Sequence, residues 1–261
     1  MANEELKRVF LVGGAGRIGT TVRKGLAERY DFSGMDVVPS DEPEIATGDA
    51  RDLATIEAAL EGQDAVIYLP NMNREPGTWE QGYENDLPAI WNTFEAARRN
   101  GLKRVIFCSS NRATEKYEHD YPYANIMRGE LDGLDPNNIP YVTPSSPVRP
   151  QGPYGIVKVF GEVLGRWFSD TYGMSVICIR VGRFTGSAEP GDVRQVSVLL
   201  TPRDAVHLFD RCLQAPDDVK FAVFYGVSNN KWRIWDISEA QRLIGYEPQD
   251  NLEEWRDKLT R

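Results

Sequence analysis

The chain has 261 residues, 41 % hydrophobic and 26 % charged, the mix of an ordinary globular protein with enough apolar material for one large domain or two small ones. Thirty Lys and Arg against thirty-nine Asp and Glu leave a net charge of −9, which argues against nucleic acid or an anionic membrane surface as a partner. No stretch is apolar and uncharged for long enough to span a bilayer, and the first residues lack the cationic and apolar stretches of a secretory leader, so the expected location is cytoplasmic.

Short β-branched or aliphatic runs alternate along the chain with longer amphipathic stretches, the pattern of βαβ units and a parallel sheet. Strands are expected at Arg8 to Val12, Phe32 to Asp36, Glu44 to Thr47, Ala65 to Leu69, Arg104 to Cys108, Ser175 to Arg180 and Phe221 to Tyr225. Between them helices are expected at Ile18 to Glu28, Leu53 to Leu60, Trp79 to Arg99, Tyr154 to Tyr172, Pro202 to Leu213 and Ser238 to Ile244. In the first helix Ile18, Val22, Leu26 and Ala27 form one apolar stripe to lay on the sheet. With right-handed crossovers the fold class is α/β, a doubly wound parallel sheet. The long stretch over about 112–151, rich in Pro, Asn, Gly and Tyr, reads as an ordered flap, because Tyr117, Tyr121, Tyr123 and Tyr141 are too many aromatics for a solvated linker.

Cys108, Cys178 and Cys212 are widely spaced, two of them inside strand-like runs, and read as reduced core residues. With only His119 and His207 available, neither a zinc site nor a Ser-His-Asp triad assembles, so no metal is expected and most hydrolase chemistry drops out.

Chemistry enters at Gly13-Gly14-Ala15-Gly16-Arg17-Ile18-Gly19, which follows a strand and opens a helix. Glycines let the backbone approach a pyrophosphate, and the free N–H groups and helix dipole hold its charge, making Gly13, Gly16, Arg17, Ile18 and Gly19 candidate dinucleotide contacts. Asp36, ending the second strand, is placed to accept from both ribose hydroxyls and to select NAD. A 2′-phosphate there meets repulsion of roughly 3 kcal/mol per unit charge, partly offset by Arg17.

In Tyr154-Gly155-Ile156-Val157-Lys158 the phenol and ammonium lie one helical turn apart, and the cation favours phenolate by roughly 3 kcal/mol, so Tyr154 is a candidate base. An exposed pair of this spacing is common. It gains meaning from Cys108-Ser109-Ser110-Asn111 at the end of the fifth strand, where ligands of open α/β sheets bind and where Ser110 is placed to hydrogen-bond a substrate oxygen.

With these motifs the chain resembles an extended short-chain dehydrogenase/reductase of the NAD-dependent epimerase/dehydratase family, with a Rossmann-type sheet, and within it the NAD-dependent uronate dehydrogenases and related sugar and sugar-phosphate dehydrogenases. The likeness extends through Gly48-Asp49-Ala50-Arg51-Asp52, Asn85, Phe160-Gly161-Glu162, Arg180-Val181-Gly182, Arg194, Asp204 and Gly245-Tyr246-Glu247-Pro248. It implies a base at Tyr154, a ribose-holding Lys158 that lowers its pKa, and a Ser110 that orients the hydroxyl. It also implies adenine contacts from Asp49 and Ala50, Leu69 and Asn85 along the cofactor, and Val181 near the carboxamide. Substrate contacts are implied for Asn73, Ser110, Asn111, Arg112, Arg183 and Arg194. Arg112 stands where the relatives usually carry His, Arg183 replaces a small polar residue, the flap is longer, and Arg194 alone matches the expected carboxylate clamp. Three arginines, with Arg74 and Arg149 as helpers, point to an anionic sugar, a uronate or a sugar phosphate.

The expected division is an NAD-binding domain over 1–182 carrying the flap, and a small C-terminal substrate lobe over 183–261 interleaved with it. The expected activity is hydride transfer from C1 of a cyclic sugar to NAD, giving a lactone. The alternatives are a nucleotide-sugar epimerase or dehydratase using bound NAD, and a non-catalytic NAD-binding regulator. A homodimer through the Trp79 and Tyr154 helices is the arrangement the resemblance implies. Trp232 and Trp235 are expected to close the small lobe or a subunit contact.

Overall fold

Seven parallel strands build the core sheet: β1 (Arg8–Val12), β2 (Asp31–Asp36), β3 (Ile45–Thr47), β4 (Ala65–Tyr68), β5 (Arg104–Ser110), β6 (Ser175–Val181) and β7 (Phe221–Gly226). Their order across the sheet is β3-β2-β1-β4-β5-β6-β7 in this computed structural model, which describes residues 6–70 and 78–259. Every residue of β4, β5 and β6 is buried, as a parallel sheet covered on both faces requires. The chain order reverses between β1 and β4, which opens a crevice beyond the carboxyl ends of these strands.

Helices cover both faces. One layer holds α1 (Arg17–Leu26), whose Val22 and Leu26 pack with Leu208 and Phe209 of α8 (Pro202–Leu213) and Ala240 and Ile244 of α9 (Ser238–Ile244). The other holds α2 (Leu53–Ala59), α4 (Leu87–Arg99) and α6 (Gly152–Tyr172), joined through Ile56, Ile90, Phe94, Leu164 and Phe168. A short α3 (Trp79–Gln81) runs into α4 through a π-helical segment, Gly82–Asp86, a local widening that a sequence pattern of period 3.6 does not reveal. At Gly161 of α6 an added Cβ would lie 2.1 Å from the Phe107 ring, so glycine there lets the helix that carries Tyr154 and Lys158 settle directly on β5.

The 112–151 stretch is entered through the 3-10 turn Asn111–Ala113 and contains a second, Glu115–His119, then α5 (Tyr123–Arg128), ended by Gly129 at φ +76°. Helix α5 was not expected, because six residues carry too little periodicity. The same holds for α7 (Val193–Val198) and α10 (Arg256–Leu259). Tyr123, Ile126, Met127 and Val142 of the flap form one apolar cluster with Tyr225, Val227, Trp232, Ile234 and Trp235. Backbone bonds from Val142 N to Ile234 O and from Asp236 N to Val142 O sew the flap to the C-terminal segment. All three cysteines are buried and free, and no described helix is long and apolar enough to cross a membrane.

Candidate active site

The glycine turn leaves β1 with Gly13 at φ +78°, and a Cβ at Gly19 would come 2.6 Å from the Gly14 carbonyl oxygen, so the turn and α1 close up only with glycine at these points. Gly16 caps α1 without a side chain, which leaves the first amides of the helix without a side-chain acceptor. That is the arrangement a diphosphate fits. Asp36 is held at the end of β2 by N–H bonds from Ala15 at 3.1 Å and Val38 at 3.2 Å. Beyond β3, Asp49 is gripped by Arg51, whose hydrogen bonds hold its carboxyl below the usual range. Arg51 also donates to Asn85 Oδ1 at 2.6 Å. Asp49 and Asn85, both implied by the resemblance, are thus bound to each other through a residue the sequence reading did not select. Ala50 is buried in the core cluster on that side of the sheet.

A cavity of about 220 Å³ opens beyond β4, β5 and β6. Of the residues singled out from the sequence it gathers Ile18, Leu69, Ser110, Asn111, Arg112, Tyr154, Val181, Arg183 and Arg194. It also gathers Glu115 and Phe184, which the sequence reading did not select. Asn73 and Arg74 lie outside the described residues. Arg149 is taken up elsewhere, paired with Asp120 and stacked over Tyr117 at 4.6 Å.

Tyr154 and Lys158 share one face of α6. The Lys158 ammonium is buried, donates to the carbonyls of Pro70 and Cys108, both at 2.9 Å, and is pulled below its usual pKa by that burial. Burial pushes the Tyr154 phenol above its usual range, while a hydrogen bond with Ser110 and the nearby Arg112 charge pull it down. Of these influences on the phenol, burial is the largest. Arg112 lies 5.9 Å from the ring centre.

The arginines are not three open cations. Arg194 donates to Glu118 through Nε at 2.6 Å and Nη2 at 2.9 Å, and to Glu115 through Nη2 at 3.1 Å. Arg112 Nε stands 3.4 Å from Glu115 Oε2. Among the described residues, Arg183 carries no ion pair and is exposed at the rim. Glu118 is buried, its pKa raised by that burial against the pull of Arg194, and Asn111 donates to it at 3.5 Å. The two glutamates escaped sequence reading because acids in a polar loop are usually solvated, and their partner lies far along the chain.

Behind the cavity, Glu162 and Arg180 form a bidentate ion pair, 2.8 and 2.9 Å, both side chains under a tenth exposed. Ser109 donates to Glu162 at 2.6 Å, and Arg180 donates to Tyr225 Oη at 3.1 Å. The hydroxyls of Tyr225 and Thr114 share a bond of 2.8 Å. This chain of bonds ties α6, β5, β6, β7 and the start of the flap into one frame around Ser110.

Comparison with known proteins agrees with this geometry. The model of the NAD dependent epimerase/dehydratase family matches residues 9–201. An NAD-dependent glucose-6-phosphate dehydrogenase of Haloferax volcanii is 31 % identical over 258 residues, covering 95 % of each chain. A uronate dehydrogenase of Pseudomonas putida is 30 % identical, covering 98 % of this chain and 89 % of that one. The crystal structure of uronate dehydrogenase from Agrobacterium tumefaciens superposes with a TM-score of 0.80 at 28 % identity, covering 97 % of this chain and 88 % of that one, and a mutant of it was solved complexed with NAD.

Proposed function

The chain belongs to the NAD dependent epimerase/dehydratase family, and from that premise we propose that it oxidises the C1 hydroxyl of a cyclic, singly charged sugar acid to a lactone, with NAD as the cofactor. The observation that carries this reading is the cavity in which Tyr154 and Ser110 share walls with Arg112, Arg183 and Arg194.

In this reading the amides after Gly16 and the carboxylate of Asp36 hold the cofactor's diphosphate and ribose, with Asp49, Ala50, Leu69, Asn85, Lys158 and Val181 lining its path. NAD supplies the hydride acceptor. Ser110 donates to the substrate oxygen and holds it against Tyr154 Oη, which takes the hydroxyl proton. Lys158, anchored on two strand-end carbonyls, supplies a fixed positive field under the phenol as it becomes phenolate. The cavity's three guanidinium groups, set against Glu115 and Glu118, leave a single positive charge, which suits one carboxylate better than a doubly charged phosphate. Arg183 at the rim is the arginine with its donors free to take that carboxylate.

The substrate lobe consists of residues 183–261 interleaved with the flap, and the working unit is a cytoplasmic homodimer. Support for the dimer comes from Trp91 of α4 and Trp167 of α6, exposed and stacked at 6.0 Å, with Tyr172 and Val163 exposed on the same helix as Trp167.

The test is the initial rate of NADH formation with glucuronate, galacturonate, neutral aldoses and their 6-phosphates, with Tyr154→Phe as control. Turnover of a uronate that is lost in the control supports the reading. NADH formation from a 6-phosphate alone rejects the carboxylate assignment, and none from any sugar rejects the dehydrogenase.

A further inference from the structure

One carboxylate of the cavity balances arginine charge in the reading above and is given no contact with the sugar there. Glu115 opens the 3-10 turn that follows Thr114 and lines the same cavity as Tyr154 and Ser110. Its Oε1 is fixed by Arg194 Nη2 at 3.1 Å, and Arg194 is itself gripped by Glu118, so the side chain is held in place from behind. Its Oε2 is buried and accepts no hydrogen bond, although the Arg112 charge stands 3.4 Å away. A buried acceptor left unused costs free energy, and a bound ligand or an ordered water is what completes such a group.

We propose that Glu115 is a specificity-determining residue whose Oε2 accepts a hydrogen bond from a ring hydroxyl of the sugar bound at Tyr154. The inference rests on the sugar-oxidising reading of the site and adds a group to it. An ionised carboxylate is acceptor-only, so at this position it selects a donor and rejects an ether or carbonyl oxygen. The guanidinium groups around it are donor-only and cannot read a hydroxyl proton, which makes Glu115 the complement to the arginines: they take the sugar's anion, and it takes a hydroxyl.

The test uses the full chain with NAD and compares wild type, Glu115→Ala and Glu115→Gln on the sugar found to turn over and on its monodeoxy analogues, with NADH affinity followed by fluorescence. The expected result is that Glu115→Ala lowers kcat/KM for the parent sugar roughly 10–100-fold, leaves NADH affinity unchanged, and costs no more than about 2-fold on the one analogue that lacks the partner hydroxyl. Glu115→Gln, which keeps the shape should the alanine variant fold poorly, is expected to show the same pattern with a smaller loss. Equal losses on the parent and on every analogue overturn the proposal, since Glu115 then acts only by holding Arg194, and so does an absence of loss. A wild type that binds NADH but oxidises no sugar fails the underlying reading as well, which separates the two failures.

Discussion

Lys158 Nζ lies 5.4 Å from the centre of the Tyr154 ring and donates to the carbonyls of Pro70 and Cys108, so its influence on the phenol is a field rather than a hydrogen bond. Tyr154→Phe removes the proton acceptor and leaves this scaffold intact. We expect kcat to fall roughly 10²–10⁴-fold with NADH affinity retained, measured by turnover and by fluorescence titration. Retention of more than about a tenth of the rate would remove Tyr154 from the role of base.

Burial raises the Tyr154 pKa, and a base works only when deprotonated, so the oxidation rate is expected to climb with pH into the alkaline range. The Ser110 bond opposes that rise. Ser110→Ala therefore moves the ascending limb of log kcat/KM to higher pH, beyond any general loss of rate. A limb that stays in place means the bond does not tune the phenol.

Glu162→Gln leaves Arg180 charged and unpaired in the interior, and the expected cost is about 3–5 kcal/mol in urea unfolding. The double replacement Glu162→Gln with Arg180→Met removes both charges and is expected to recover part of that loss. If the double variant is the less stable, the pair contributes more than its removal penalty.

Glu95 is a stability sensor far from the cavity. Its carboxyl is pulled to about 2 from an ordinary 4.5, first by the hydrogen bond from Arg98 and then by Arg99. A depressed folded pKa gives stability that is present above 4.5 and lost as pH falls toward 2. Wild type is therefore expected to exceed Glu95→Gln in stability at neutral pH, the gap closing across that acid window in unfolding measured at stepped pH.

Asp36 offers a fifth handle, on the cofactor. Asp36→Ala is expected to lower kcat/KM with NAD and raise the NADP-to-NAD ratio by roughly 30–150-fold, from the removal of about 2–3 kcal/mol of charge repulsion. An unchanged ratio would detach Asp36 from the ribose.

The strands and the glycine turn were legible because each depends on neighbours close in sequence: alternating burial, a helix stripe, a turn that needs φ above zero. Tyr154, Lys158 and Ser110 were legible because two sit one helical turn apart and the third ends a strand. Arg51 was missed, since nothing local announces that one guanidinium spans Asp49 and Asn85. The pairing of Arg194 with Glu115 and Glu118 was missed for the same reason. Charge pairing across the fold is a tertiary property, and it altered the reading of the pocket from three cations to one in excess.

The stitching of Val142 to Ile234, Trp235 and Asp236 sets an order of events during synthesis. Those partners leave the ribosome about 90 residues after Val142, a delay of about 5–20 s at ordinary elongation rates. Throughout that interval Tyr123, Ile126 and Met127 have no Trp232 or Trp235 to cover them, while the glycine turn and Asp36 have already been made. A chain halted before Trp235 therefore displays an apolar flap to chaperones and proteases, although its cofactor turn is already complete.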